Sequence, residues 1–188
     1  MSSALASASR VLVLIVVLIA ALVFYLLWAS SAAGQSPVSV IPKVNVASGG
    51  SLSIVSGAVE GNQLDFGSMG PGQTQEKTLS LGVTANSAWH LTVSKNQDLK
   101  DSLLGVTIPS ANFTFRSSGN SGPIYVTSNT EFGSSGSPSN VVTNGSATTS
   151  NNVNVVYRLT IPGNQPCSNP EAPYYSAVHT YTLIVGSP

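Results

Sequence analysis

The stretch NVNVVYRLTIP, Asn152–Pro162, decides the fold. Its apolar residues Val153, Val155, Tyr157, Leu159 and Ile161 fall on every second position. Successive side chains of an extended chain point to opposite faces, so this stretch buries one face and leaves the other to polar groups. A helix would place its apolar residues three and four apart instead. Working outward, the same period recurs in Leu79, Leu81 and Val83, in Trp89, Leu91 and Val93, in Phe113 and Phe115, and in Tyr181, Leu183 and Val185. Turn signals separate these runs: Gly61-Asn62, Gly70-Pro71-Gly72, Asn86-Ser87, Asn144-Gly145 and Pro162-Gly163-Asn164. Short strands at such spacing predict an all-β fold, an antiparallel β-sandwich of Ig-like or Greek-key type. After Trp28 only Asp98 to Leu104 leaves room for a helical turn.

Toward the amino end, Val38 and Val40, then Val44 and Val46, flank Pro42. Proline donates no ladder hydrogen bond, so residues 37–46 read as an edge or crossing strand. Gly49-Gly50 follows, and Leu52 and Ile54 resume the alternation. A local hairpin of Val44–Val46 with Leu52–Ile54 closes a short loop at little entropic cost and is the expected pairing. The same segment could instead add itself to a neighbouring subunit's sheet.

Ahead of it lies a different kind of sequence. Val11 to Trp28 are eighteen consecutive apolar residues after a short head holding the single charge Arg10. As a helix they span roughly 27 Å, close to the hydrocarbon thickness of a bilayer. Ser31 and Ala33 have the small-residue spacing of a signal-peptidase site, while the apolar run exceeds a usual signal core. Residues 1–34 are therefore read as a signal peptide or a membrane anchor, one N-terminal hydrophobic helix. Arg10 marks the cytoplasmic side, and residues 35–188 form the exported domain. If the leader is kept, residues 11–28 hold the chain in the membrane.

Charge excludes several function classes. The 188 residues carry seven Lys/Arg and seven Asp/Glu, spread singly, for a net charge of zero. Phosphate neutralisation takes clustered cations, so no nucleic acid is expected as a partner. Between Ser117 and Asn152, 26 of 36 residues are Ser, Thr, Asn or Gly. That composition has little apolar area to offset ordering and reads as a solvated connection, with short edge strands near Pro123–Val126 and Val141–Val142. N-glycosylation sequons stand at Asn112-Phe113-Thr114 and Asn144-Gly145-Ser146.

Chemistry-bearing residues are few. His90 alternates out of phase with Trp89, Leu91 and Val93 and should face solvent or the sheet edge. No hydrolase elbow, metalloprotease helix or phosphate loop includes it or His179. Asn96, Asp98 and Asp101 lack the glycine-turned loop and terminal Glu of a calcium site and read as a cap or solvated turn. Cys167, in a proline-bounded loop, is the single cysteine and reads as a partly buried thiol. No cofactor or metal is expected, and no enzyme activity.

Three stretches together resemble a known family. Leu64-Asp65-Phe66-Gly67-Ser68 precedes the Glu76–Val83 strand, Trp89-His90-Leu91-Thr92-Val93-Ser94 supplies a W-x-L-T-V-S strand, and Thr180-Tyr181-Thr182-Leu183 closes the chain. The order resembles the WxL domain of Gram-positive cell-surface proteins and is also similar to fimbrial and spore-coat-type sandwiches. A second W-x-L is replaced here by Tyr181-Thr182-Leu183. The resemblance implies a β-rich module held noncovalently to the cell wall, with Trp89, Leu91, Tyr181 and Leu183 as its cell-wall or structural motif. The expectation is thus a noncatalytic module on the extracellular side of the membrane or at the cell surface. Its partners would be a cell-wall polymer or other envelope proteins. The alternative is a self-assembling filament or pilus-like subunit, a homo-oligomer joined through strand 37–46.

Overall fold

In the computed structural model, which describes residues 36–46, 49–58, 62–166 and 175–186, strands dominate. The hydrophobic helix expected over 11–28, the boundary near residue 34 and Cys167 lie outside the described residues. No helix among the described residues is long and apolar enough to cross a membrane.

Two sheets carry the fold. The smaller has the order β10 (Thr130–Glu131), β8 (Phe113–Gly119), β12 (Thr148–Thr160), β4 (Thr74–Ala85) and β2 (Gly50–Ser56). Its spine is the β12–β4 ladder, running from Thr160 opposite Thr74 to Thr148 opposite Ala85. The period-two residues Val153, Val155, Tyr157 and Leu159 all point inward and are fully buried. The larger sheet has the order β3 (Leu64–Met69), β1 (Ser36–Val46), β13 (Tyr175–Val185), β5 (Trp89–Lys95), β11 (Ser139–Gly145) and β9 (Ile124–Tyr125). There β6 (Leu99–Asp101) pairs with β13, and β7 (Thr107–Ile108) pairs with β6. The all-β expectation holds, and the inward faces of the two sheets share one apolar core, as in a β-sandwich.

Two expectations are corrected and a third is narrowed. First, among the described residues one ladder is parallel: β1 runs alongside β13, with Val38 opposite Tyr175 and Val46 opposite Leu183. Parallel neighbours need a long crossover, and here most of the domain lies between the two strands in sequence. Second, the hairpin of 44–46 with 52–54 does not form. Leu52 pairs with Val83 and Ile54 with Leu81 on β4, so the chain passes from one sheet to the other between β1 and β2. Val38 and Val40 bury fully between β3 and β13, which a hairpin in the other sheet would not allow. Pro42 is accommodated because β3 pairs only as far as Val40, leaving Pro42 with a ladder partner on one flank.

Third, the helical turn allowed over Asp98–Leu104 is confined to its end, where the Gly105 amide donates to the Asp101 carbonyl at 3.0 Å across Ser102–Leu104. Leu99–Asp101 is a strand, and the Asp101 carboxylate accepts hydrogen bonds from the Leu103 and Leu104 amides, both at 2.8 Å. A carboxylate that accepts from the amides two and three residues on caps the start of a helical turn, so Asp101 ends the strand and begins the turn. A 3-10 turn spans Ser110–Asn112. The polar stretch 117–152 is also more ordered than its composition implies, because β11 pairs on both flanks and Phe132 packs into the core at 5% exposure.

Candidate functional site

Strands β5 and β13 bring the motif residues together. Their antiparallel register sets Leu91 opposite Leu183, Val93 opposite Tyr181 and Trp89 opposite Val185. The W-x-L and Y-T-L segments are therefore cross-strand neighbours on one inward face. Trp89 is 2% exposed, and Leu91, Tyr181 and Leu183 are fully buried. The indole N–H of Trp89 donates to the Ser146 carbonyl at 2.8 Å. Gly145 lies against the ring so closely that a Cβ there would stand 2.2 Å from an indole carbon. Gly145 is thus the residue that lets the segment following β11 close over the tryptophan.

The side chains beyond Tyr181 form a buried aromatic box that sequence reading did not assemble. His179 stands 4.3 Å from the Phe132 ring, centroid to centroid, and 5.5 Å from both Phe113 and Tyr157. Tyr157 and Tyr181, one from each sheet, share a hydrogen bond of 2.7 Å between their hydroxyls, and His179 Nδ1 lies 3.3 Å from the Tyr157 hydroxyl. His179 Nε2 is buried without a hydrogen-bond partner among the described residues. Burial, with a smaller contribution from the Lys95 charge, pushes the imidazole down to about 3, so it is neutral at ordinary pH. Burial also pushes both tyrosine hydroxyls up. The available signal was phase: His179 shares the period of Tyr175, Ala177, Tyr181 and Leu183. His90, out of phase as expected, is half-buried at the edge of a concavity.

A second polar group closes one end of β5. Lys95 is 6% exposed, and its ammonium donates to Asp98 Oδ1 and to the Ser110 hydroxyl. Ser110 in turn donates to Asp98 at 2.7 Å. Partial burial works against the Asp98 charge, and the bonds from Lys95 and Ser110 outweigh it, holding the carboxyl below its ordinary range. Of the expected Asn96, Asp98 and Asp101 group, each member has its own structural task. Asn96 Oδ1 accepts from the Val178 amide at 2.8 Å, Asp98 pairs with Lys95, and Asp101 holds its turn. No three His, Cys, Asp or Glu side chains converge as metal ligands among the described residues.

Near Trp89 the surface is hollowed. A concavity of about 260 Å³ is lined by Trp89, His90, Asn140, Thr143 and Asn144 among others. Compared with known proteins, the sequence matches no protein-family model and no curated protein.

Proposed function

We propose that this chain is a noncatalytic, exported structural module of the cell envelope, in contact with a cell-wall polymer or other envelope proteins. The observation that carries this reading is where its chemistry-bearing side chains sit. His179 is sealed among aromatic rings, and Lys95 is buried with its ammonium bonded to Asp98 and Ser110, so both serve packing rather than an open site. The apolar run of 11–28 supports export, and the pairing of Trp89 and Leu91 with Tyr181-Thr182-Leu183 supports likeness to a WxL-type module. The finer fold class, an Ig-like or Greek-key sandwich behind an N-terminal hydrophobic helix, belongs to the same reading. It is supported by two face-packed sheets with chain crossings between β1 and β2 and between β11 and β12. The test is fractionation of the native host, followed by sedimentation of the full chain with purified walls. Recovery in the envelope and wall-dependent pelleting are expected; recovery in the cytosol would refute export.

A second reading, a self-assembling filament subunit, has a specific observation in its favour. Strand β1 fills a slot between β3 and β13 and follows directly on the leader. It joins the rest of the domain in sequence at its carboxyl end, so the same slot could accept this strand from a second copy. Negative-stain images of the exported chain decide between the readings, since filaments favour the second. A peptide of residues 37–46 that binds tightly to a chain starting at Gly49 would show that the slot takes the strand in trans.

A further inference from the structure

The two sequons differ in structure in a way that bears on modification. Asn112 ends the 3-10 turn and is half-buried; Phe113 beside it is 4% exposed and stacks in the aromatic core. Thr114 is laddered on both sides, opposite Arg158 and opposite Glu131. Asn112-Phe113-Thr114 is therefore built into the smaller sheet. Asn144-Gly145-Ser146 has the opposite setting. The β11–β5 register shifts between Val142, opposite Leu91, and Gly145, opposite Trp89. Both ends of this irregularity are fixed, Val142 in the core and Gly145 against the indole. Between them Thr143 stays opposite Ile124 on β9, and Asn144 has no ladder partner on either flank among the described residues. Asn144 has φ of 55° and is exposed, and its side chain makes no hydrogen bond among the described residues. Asparagine tolerates that left-handed conformation better than most residues. Ser146 is exposed beside it, and the 260 Å³ concavity bordered by Trp89, His90, Thr143 and Asn144 leaves room for a first sugar.

We infer that Asn144 is an N-glycan acceptor and that Asn112 is not, an inference that rests on the export reading above. The donor class is an oligosaccharide carried on a lipid diphosphate, supplied on the outer side of the membrane. The Asn144 amide nitrogen bonds to the anomeric carbon of the first sugar, the anomeric carbon–oxygen bond breaks, and the diphosphate leaves with the electron pair. The amide gives up one proton, and no oxidation or reduction is involved. The folded structure accommodates the product because the glycan departs from a bulge rather than from a packed strand.

The test is glycopeptide mass spectrometry on the full chain from its native host, alongside Ser146→Ala, Ser146→Thr and Thr114→Ala variants. Ser146→Ala removes the hydroxyl of the sequon but leaves Asn144 and the carbonyl that holds Trp89. The expected result is a glycan on the Asn144 peptide, lost in Ser146→Ala, kept in Ser146→Thr and unchanged in Thr114→Ala. An unmodified Asn144 on envelope-located protein, or a glycan that disappears with Thr114→Ala, would overturn the inference. The same variants placed behind an independent secretion signal in a glycosylating host separate a failure of the acceptor from a failure of this chain's own export.

Discussion

Replacing His179 by Phe should remove a large part of this protein's sensitivity to acid. The imidazole is buried among Phe113, Phe132 and Tyr157, its Nε2 has no hydrogen-bond partner among the described residues, and the Lys95 ammonium acts on it. Burial lowers its protonation from 6.5 to about 3. An unfolded chain binds this proton near pH 6.5 and the folded chain does not, so stability is intact above 6.5 and is lost as pH falls toward 3. Each pH unit in that window costs about 1.4 kcal/mol, and the whole window about 5 kcal/mol. Between pH 6.5 and 4.5 the wild type should therefore lose about 3 kcal/mol through His179 alone. Phe at this position fills similar volume and leaves the Tyr157–Tyr181 bond in place, and it removes a buried unpartnered nitrogen. Urea unfolding of residues 35–188 at pH 7.5, 6.5, 5.5 and 4.5 measures the difference. The depressed Asp98 carboxyl also sheds stability at low pH, but equally in both proteins, so only the gap between the two curves matters. Parallel pH curves for wild type and His179→Phe would refute the reasoning.

Trp89→Ala should cost on the order of 3–5 kcal/mol in chemical denaturation, as a large aromatic removed from a core does; an unchanged melting temperature would contradict its burial. Gly145→Ala puts a methyl into the indole and should cost about 1–3 kcal/mol as an overpacking change, measurable as a shift in Trp89 fluorescence and a lower urea midpoint. Deleting residues 36–46 opens the slot between β3 and β13 and should lower the melting temperature, with recovery when a 37–46 peptide is added. Glu76→Gln breaks the exposed bidentate pair with Arg116, at 2.8 and 2.9 Å, and should change stability by less than about 1 kcal/mol. A larger loss would mean that the pair does more than an ordinary surface contact.

Much of the strand inventory was legible along the chain because its cause is local. Alternation in Val153–Ile161, Leu79–Val83, Trp89–Val93 and Tyr181–Val185 follows from the two-residue repeat of an extended backbone, and each of these runs buries the face its pattern predicts. The outward placement of His90 follows from the same repeat. Short elements were less legible: Asp98–Leu104 reads as room for a helical turn, and the turn is there at its end, but the strand Leu99–Asp101 before it was missed, since three residues are too few to show a period. The stretch 117–152 looked like a solvated connection because composition records little apolar area, whereas Phe132, Val141 and Val142 supply enough contact to order it against the core.

The two-faced character of the longer strands, and hence an all-β protein, followed from the order of residues alone. Only the tertiary structure decided which strands share a sheet. The local hairpin of 44–46 with 52–54 would have closed a shorter loop, yet β1 lies parallel to β13 at the far end of the chain and β2 lies on the opposite sheet. Loop entropy favours the near partner only weakly, by a logarithm of loop length. Burying Val38 and Val40 completely between β3 and β13 outweighs that preference. The same holds for His179, whose box of Phe113, Phe132 and Tyr157 is gathered from three separate stretches of sequence. Periodicity states that a side chain turns inward; what it meets there depends on register and on the facing sheet, which are properties of the whole folded chain.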